Sequence, residues 1–269
     1  MIEEYAKKMR HDFIDMIGYQ KGHVGHVGGS CSCADIVAAL YFHKMNISPE
    51  KIQDENRDRF IMSKGHAALA QYAALAERGF FCKQEIYSVK KLGSILQGHP
   101  DAELVPGIEA NTGSLGQGLS LGFGMALGLK VQKSDAKVYV LLGDGELDEG
   151  QVWEAAAASA RFHMDNITAI VDMNGLKAST VTDTVLFNEL CKDRWEGFGW
   201  EAIEIDGHDM KQIMDALDWS DSRNGKPHVI LAHTIKGKGV DFAENNVSYH
   251  NTKLTKEQFE RAHDSIDRN

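Results

Sequence analysis

Residues 141–175 read LLGDGELDEGQVWEAAAASARFHMDNITAIVDMNG. An apolar run, KVYVLL, ends in Gly143, Asp144 and Gly145; an alanine-rich segment follows; a second apolar run, ITAIVD, leads to Asn174. The 30 residues between Asp144 and Asn174 are about one parallel crossover: a loop, a helix and the next strand. Both side chains then arrive at the same edge of neighbouring strands. Val152, Ala155, Ala156, Ser159 and Ala160 form a small-residue stripe at helical spacing, which lets the helix lie close to the sheet. Gly143 and Gly145 let the backbone turn sharply and approach a ligand.

Working outward, RFIMS, EAIEI and HVILAHT are further short apolar runs of strand character, separated by helical stretches at 67–78 and 210–219. Repeated strand and helix predict an α/β fold, a mostly parallel sheet with helices on both faces, as one domain over 1–269. Ile2, Tyr5, Met9, Phe13 and Met16 recur at helical spacing and predict a helix over 2–17. A glycine-rich loop over 21–32 and a helix over 34–43, capped by Ser32, follow. The last twenty residues read as a surface helix opened by Thr255. Trp195, Trp200 and Trp219 read as packing residues, and Cys31 and Cys33 as small buried ones.

Ligands of parallel sheets collect beyond the carboxyl ends of the strands. Here those ends carry Lys64, Gly65 and His66; Gly143, Asp144 and Gly145; Asn174; Asp206, Gly207 and His208; and Lys236, Gly237 and Lys238. All five strand ends point to one polar edge.

The chain has 269 residues and a net charge of −10, which leaves no basic field to gather nucleic-acid phosphates. Acids from Glu3 onward argue against a targeting leader, and no run approaches the roughly 20 apolar residues of a membrane span. The 4 cysteines, Cys31, Cys33, Cys82 and Cys191, lack C-x-x-C spacing; reduced thiols and a cytoplasmic location are expected.

A carboxylate beside an amide oxygen suits a hard cation, and Mg²⁺ completes its shell with phosphate oxygens and water. With the free N–H groups of a helix N-terminus next to Gly145, the residues point to a Mg²⁺–diphosphate site. A calcium EF-hand fails, because Glu149 stands where glycine is required. On the motif alone, a purely structural acidic turn also fits. His23 and His26 lack adjoining cysteine or carboxylate ligands for zinc.

Beyond these motifs, GHVGGSCSCADIVAALYF, FIMSKGHAALAQY, GHPD, GIEANTGSLGQGLS, GDGELDEG and AHTIKGKG occur in an order that resembles the N-terminal, thiamine diphosphate-binding half of the transketolase family. The resemblance covers nearly the whole chain. It implies Mg²⁺ ligands at Asp144, Asn174 and the backbone carbonyl of Leu176, with Gly145 and His66 against the diphosphate. Gly113, Ser114 and Leu115 would meet the aminopyrimidine through backbone, and Lys236 would lie near the cofactor. His26, His99 and His250 would line the substrate channel and handle protons, His250 also touching the cofactor.

By the same resemblance, Glu149 would face a carboxylate of a partner module, while Glu146 and Asp148 read as solvated loop acids. Val27 stands where the family usually has proline, which puts the rigidity and path of that loop in question. The pyrimidine-binding and C-terminal modules are absent from this sequence. A split transketolase is therefore expected, completed by a separate C-terminal subunit to give a heterotetramer of two chains of each kind, and transferring a two-carbon unit from a ketose, phosphorylated by expectation, to an aldose. A deoxyxylulose phosphate synthase-like or keto-acid dehydrogenase α-like chain would share the GDG…N pattern; the histidine blocks favour transketolase. A non-catalytic scaffold of the same fold is the other alternative.

Overall fold

Five apolar runs become five parallel strands: β1 (Arg59–Met62), β2 (Val138–Gly143), β3 (Ile167–Met173), β4 (Glu201–Asp206) and β5 (His228–His233), ordered β1-β2-β3-β5-β4. The computed structural model describes residues 1–18, 24–181 and 190–268. The inner strands β2 and β3 are buried along their whole length, as expected of a parallel sheet covered on both faces. Edge strand β4 alternates between covered and open positions instead.

Alternation along β2 divides the core into two layers. Tyr139 and Leu141 face one layer, built with α1 (Ile2–Ile17), α3 (Ala34–Ala39), α4 (Ala68–Glu77) and α8 (Met210–Trp219). Val138, Val140 and Leu142 face the other, built with α5 (Gln117–Val131), α6 (Gly150–Arg161) and α7 (Cys191–Gly197). Helix α5 approaches β2 so closely that a Cβ on Gly122 would lie 2.5 Å from Val140 Cγ2. The small-residue stripe of α6 is buried at Val152, Ala155, Ala156 and Ser159, and the helix's nearest neighbour is α5. Trp200 Nε1 donates to Ala156 O (2.9 Å) and its ring stands 4.8 Å from that of Trp195, so these tryptophans pack as expected. No helix among the described residues is long and apolar enough to cross a membrane.

The region expected to be a glycine-rich loop and a Ser32-capped helix is built differently. Residues 27–32 form a buried helix, α2 (Val27–Ser32); α3 follows, and a π-helical turn, Leu40–Lys44, continues it. Ser32 ends α2 rather than capping α3; its hydroxyl donates to Asp172 Oδ2 (2.6 Å) and lies 3.1 Å from Gly29 O. Glycine disfavours helix in isolation. Here its lack of a side chain allows contact: a Cβ on Gly28 would meet Lys236 at 3.0 Å, and one on Gly29 would meet His66 at 3.1 Å. Val27 occupies the first helical position, fully buried, where proline is also well accommodated. The C-terminal helix α9 (Lys256–Arg268) begins as read: Thr255 Oγ1 accepts from Gln258 N (3.2 Å) while Gln258 Oε1 accepts from Thr255 N (2.9 Å).

Beneath the carboxyl edge lies one buried ion pair, Lys64 with Asp172, both within 1% of full burial. Burial alone would raise the Asp172 pKa, yet Lys64 and the donors Ser32 and Thr234 hold it below the ordinary value. Asp172→Asn leaves the Lys64 ammonium buried without its counter-charge, and should lower unfolding free energy by about 3–5 kcal/mol. A urea unfolding midpoint equal to the wild type's would contradict this.

Candidate active site

In the β2–β3 register Gly143 pairs with Asp172, and Asp144 N donates to Asp172 O (3.2 Å), so Asp144 and Asn174 leave adjacent strands side by side. Asp144 Oδ1 accepts from Gly145 N (2.7 Å) and Oδ2 from Gly175 N (2.6 Å). Asn174 Nδ2 donates to Asp172 Oδ2 (3.0 Å), which fixes the amide's orientation, while its Oδ1 accepts from Leu176 N (3.1 Å). The Leu176 carbonyl accepts from Lys236 Nζ (2.8 Å). Carboxylate, amide and carbonyl oxygens thus meet at one turn, the donor chemistry of a hard cation.

These groups line a cavity of about 270 Å³ together with Gly29, Lys64, His66, Leu115, Gly145, Lys236 and His250. His66, Leu115, Asp144, Gly145, Asn174, Leu176, Lys236 and His250 are therefore brought together. Gly113 and Ser114 stand just outside. A Cβ on Gly113, at φ 144°, would lie 2.8 Å from His99 Cδ2, so the loop backbone presses on that imidazole; Ser114 is exposed.

Four histidines cluster at the mouth. His26 ring centroids lie 5.4 Å from His66, 5.4 Å from His250 and 6.2 Å from His99, and His66 lies 5.1 Å from His250. An isolated bridge between Gly25 and Thr252, with N–O distances of 2.9 and 3.0 Å, draws the His26 and His250 segments together. Burial, then neighbouring cations and imidazoles, lowers His26 and His250 to about 4 and His66 to about 2, and His99 shifts the same way. All four are neutral imidazoles at neutral pH. Lys236 is lowered to about 8 by burial and by Lys64. His23, the other member of the HVGH pair, lies outside the described residues.

Four of the five strand ends serve this cavity; that of β4 does not. Asp206 and His208 face a separate cleft on the far side of β5. His208 Nε2 accepts from Ile235 N (2.8 Å), so its Nδ1–H donates to Asp35 Oδ2 (2.8 Å). Burial would raise Asp35, but Arg10 and His208 hold it to about 2. The β4 end is thereby a clamp on the backbone preceding Lys236. It is separate because β4 lies two places from the central strand β3, with β5 between it and the cavity.

Glu146 is not a solvated loop acid. It is 2% exposed and accepts from Ser63 Oγ (2.5 Å), Gly116 N (2.9 Å) and Gly143 N (3.1 Å). Asp148 is exposed and pairs with Lys177. Glu149 is exposed at the start of α6. Glu146, Asp172 and Thr234 escape sequence reasoning, since each acts on partners distant in the chain; Lys64, at a strand end, is the one with a positional signal.

The chain matches the family described as transketolase, thiamine diphosphate binding domain, over residues 2–267. It is 43% identical over 261 residues to one of the subunits of the apulose-4-phosphate transketolase of Phocaeicola vulgatus, covering 97% of this chain and 92% of that protein. It is 40% identical to a 6-deoxy-6-sulfo-D-fructose transketolase subunit of a Clostridium species, covering 97% and 94%. Among solved structures it superposes on transketolase from Leishmania mexicana with a TM-score of 0.90 at 27% identity, covering 99% of this chain but 41% of that longer one. The oxygen-rich turn between β2 and β3, the histidine cluster and this agreement along the whole chain place the protein in the transketolase family, as its thiamine diphosphate-binding domain.

Proposed function

We propose that this chain is the cofactor-holding subunit of a two-chain transketolase, which moves a two-carbon ketol unit from a ketose to an aldose. The single observation that carries the reading is the convergence of Asp144, Asn174 and the Leu176 carbonyl with His66, Lys236 and His250 on one cavity. The residues suit Mg²⁺–thiamine diphosphate. Three residues with neutral or anionic oxygen donors, Asp144, Asn174 and Leu176, line one cavity, and the buried Nδ1 of His250 is without a hydrogen-bond partner among the described residues. A buried polar atom in that state calls for a ligand.

In this proposal Asp144, Asn174 and Leu176 hold Mg²⁺, while Gly145, His66 and Lys236 lie against the diphosphate, whose charge Lys236 helps to neutralise. Gly113, Ser114 and Leu115 present backbone to the aminopyrimidine. Bound thiamine diphosphate supplies a carbanion that cleaves the bond beside a ketose carbonyl. The protein's part is to orient the sugar and move its protons. His26, His99 and His250, neutral at physiological pH, can each accept a hydroxyl proton and return it. The two subunit relatives are named for ketoses with an anionic tail, a phosphate and a sulfonate, which supports a ketose of that class as donor here.

Both relatives are named as subunits, which supports a separate partner. We assign to it the pyrimidine-binding module, in a heterotetramer with Glu149 at the contact, and place the assembly in the reducing cytoplasm. The chain alone should show little or no turnover of ketose and aldose, and gain it when partner, Mg²⁺ and thiamine diphosphate are added together; a coupled assay giving full turnover without the partner would contradict the two-chain reading.

The histidines also set a pH dependence. Their folded pKa values lie below the ordinary 6.5, so between about pH 6.5 and 4 the unfolded chain binds protons that the folded chain excludes. Stability from this source is present above pH 6.5 and declines as pH falls. Denaturant titrations should show that decline, and a His26→Gln, His250→Gln double variant should flatten it; an equally steep decline in the variant would rule the cluster out as its cause.

A further inference from the structure

The loop TGSLG, which precedes α5, has little of its own to fix its position. Thr112 Oγ1 pins its start to Met62 O (2.7 Å), and backbone lies directly on backbone beyond that point: a Cβ on Gly65 would come within 2.6 Å of Gly113 N. At its far end the fastening is Glu146. One carboxylate oxygen accepts from Gly116 N (2.9 Å) and Ser63 Oγ (2.5 Å), and the other accepts from Gly143 N (3.1 Å). All three neighbours are donors, which suits an ionised carboxylate, and Glu146 forms no ion pair with another described residue. Burial pushes the Glu146 carboxyl up, while these three donors and the nearby Lys64 favour its charged form; a buried carboxylate is costly unless each bond is made, so its geometry is strongly determined.

Gly143 immediately precedes Asp144, and Gly116 immediately follows Leu115; Asp144 and Leu115 both line the cavity. We propose that Glu146 is a positioning residue that sets the separation between the turn holding the cofactor's diphosphate and the loop meeting its aminopyrimidine. This rests on the cofactor reading given above. Glu146 itself lines the cavity, but both of its carboxylate oxygens are taken up by Ser63, Gly116 and Gly143; it acts through Gly116 and Gly143, so it governs recognition of a ligand that spans both loops and not of one that occupies the diphosphate turn alone.

The test is calorimetric titration of the complex with its partner subunit, comparing Mg²⁺–thiamine diphosphate with Mg²⁺–pyrophosphate. Glu146→Ala removes all three bonds; Glu146→Gln keeps a carbonyl for Ser63 and Gly116 and loses the bond from Gly143. Thiamine diphosphate should bind about ten- to a hundredfold more weakly to the alanine variant and by a smaller factor to the glutamine variant. Pyrophosphate affinity should stay within about twofold in both. Parallel loss of both ligands, or loss of neither, would overturn the assignment, and the glutamine variant keeps the test decisive where the alanine variant fails to fold. A wild-type complex that binds pyrophosphate but not thiamine diphosphate would overturn the underlying cofactor reading instead, and this assignment with it.

Discussion

Asp172, at the end of the central strand β3, accepts from four side chains, three of which arrive from separate parts of the fold: Lys64 after β1, Ser32 at the end of α2 and Thr234 after β5, with Asn174 just beyond β3 itself. It has no exposure to solvent. A carboxylate so buried survives as an anion only with a cation and hydrogen bonds to satisfy it. Two of these groups, Lys64 and Asn174, belong to the wall of the cavity, and the other two are tied to it, Ser32 through the carbonyl of Gly29 and Thr234 through the chain. Lys64 leads to His66, Asn174 is itself a proposed cation ligand, and Thr234 lies two residues before Lys236. The electrostatic requirement of one hidden residue therefore assembles the site above it.

The clamp made by Asp35, Arg10 and His208 repeats this logic one strand further out. It fixes the backbone at Ile235 and, through Arg10 Nε to Lys238 O (3.1 Å), the turn beyond Lys236. Asp172 lies beneath the cavity, Glu146 lines it, and Asp35 acts from outside it on the turn that carries Lys236. None of the three is a proposed cation ligand. Their shared role is to hold glycine-rich turns that would otherwise be free to adopt other conformations, which leaves the oxygen donors and imidazoles already in place for a ligand.

Much of this was legible in the sequence, for reasons that differ by element. The strands β2, β3 and β5 are apolar on both faces because helices cover both, and a continuous apolar run marks them. Their ends, and the 30-residue interval from Asp144 to Asn174, then locate the cavity. Helix α1 was legible from its periodicity over the same residues, Ile2–Ile17. The GHVGGS segment was not, because its glycines favour loops locally, while their close approach to Lys236 and His66 depends on residues far away in the chain. Glu146 was hidden for a related reason. Its neighbours in sequence are glycine, leucine and exposed acids, while the groups that bury it, Ser63 and Gly116, lie 83 and 30 residues away. His208 follows a strand like the site residues do; only the strand order shows that β5 separates its strand from the cavity.

The central claim is that the turn of Asp144, Asn174 and Leu176 carries a divalent cation joined directly to a diphosphate. Electron–nuclear double resonance on the complex loaded with Mn²⁺ in place of Mg²⁺ and with thiamine diphosphate tests it most directly. The account predicts strong phosphorus-31 hyperfine coupling to the bound Mn²⁺, lost in Asp144→Ala. Bound Mn²⁺ without phosphorus coupling, or coupling that persists after Asp144 is removed, would contradict it.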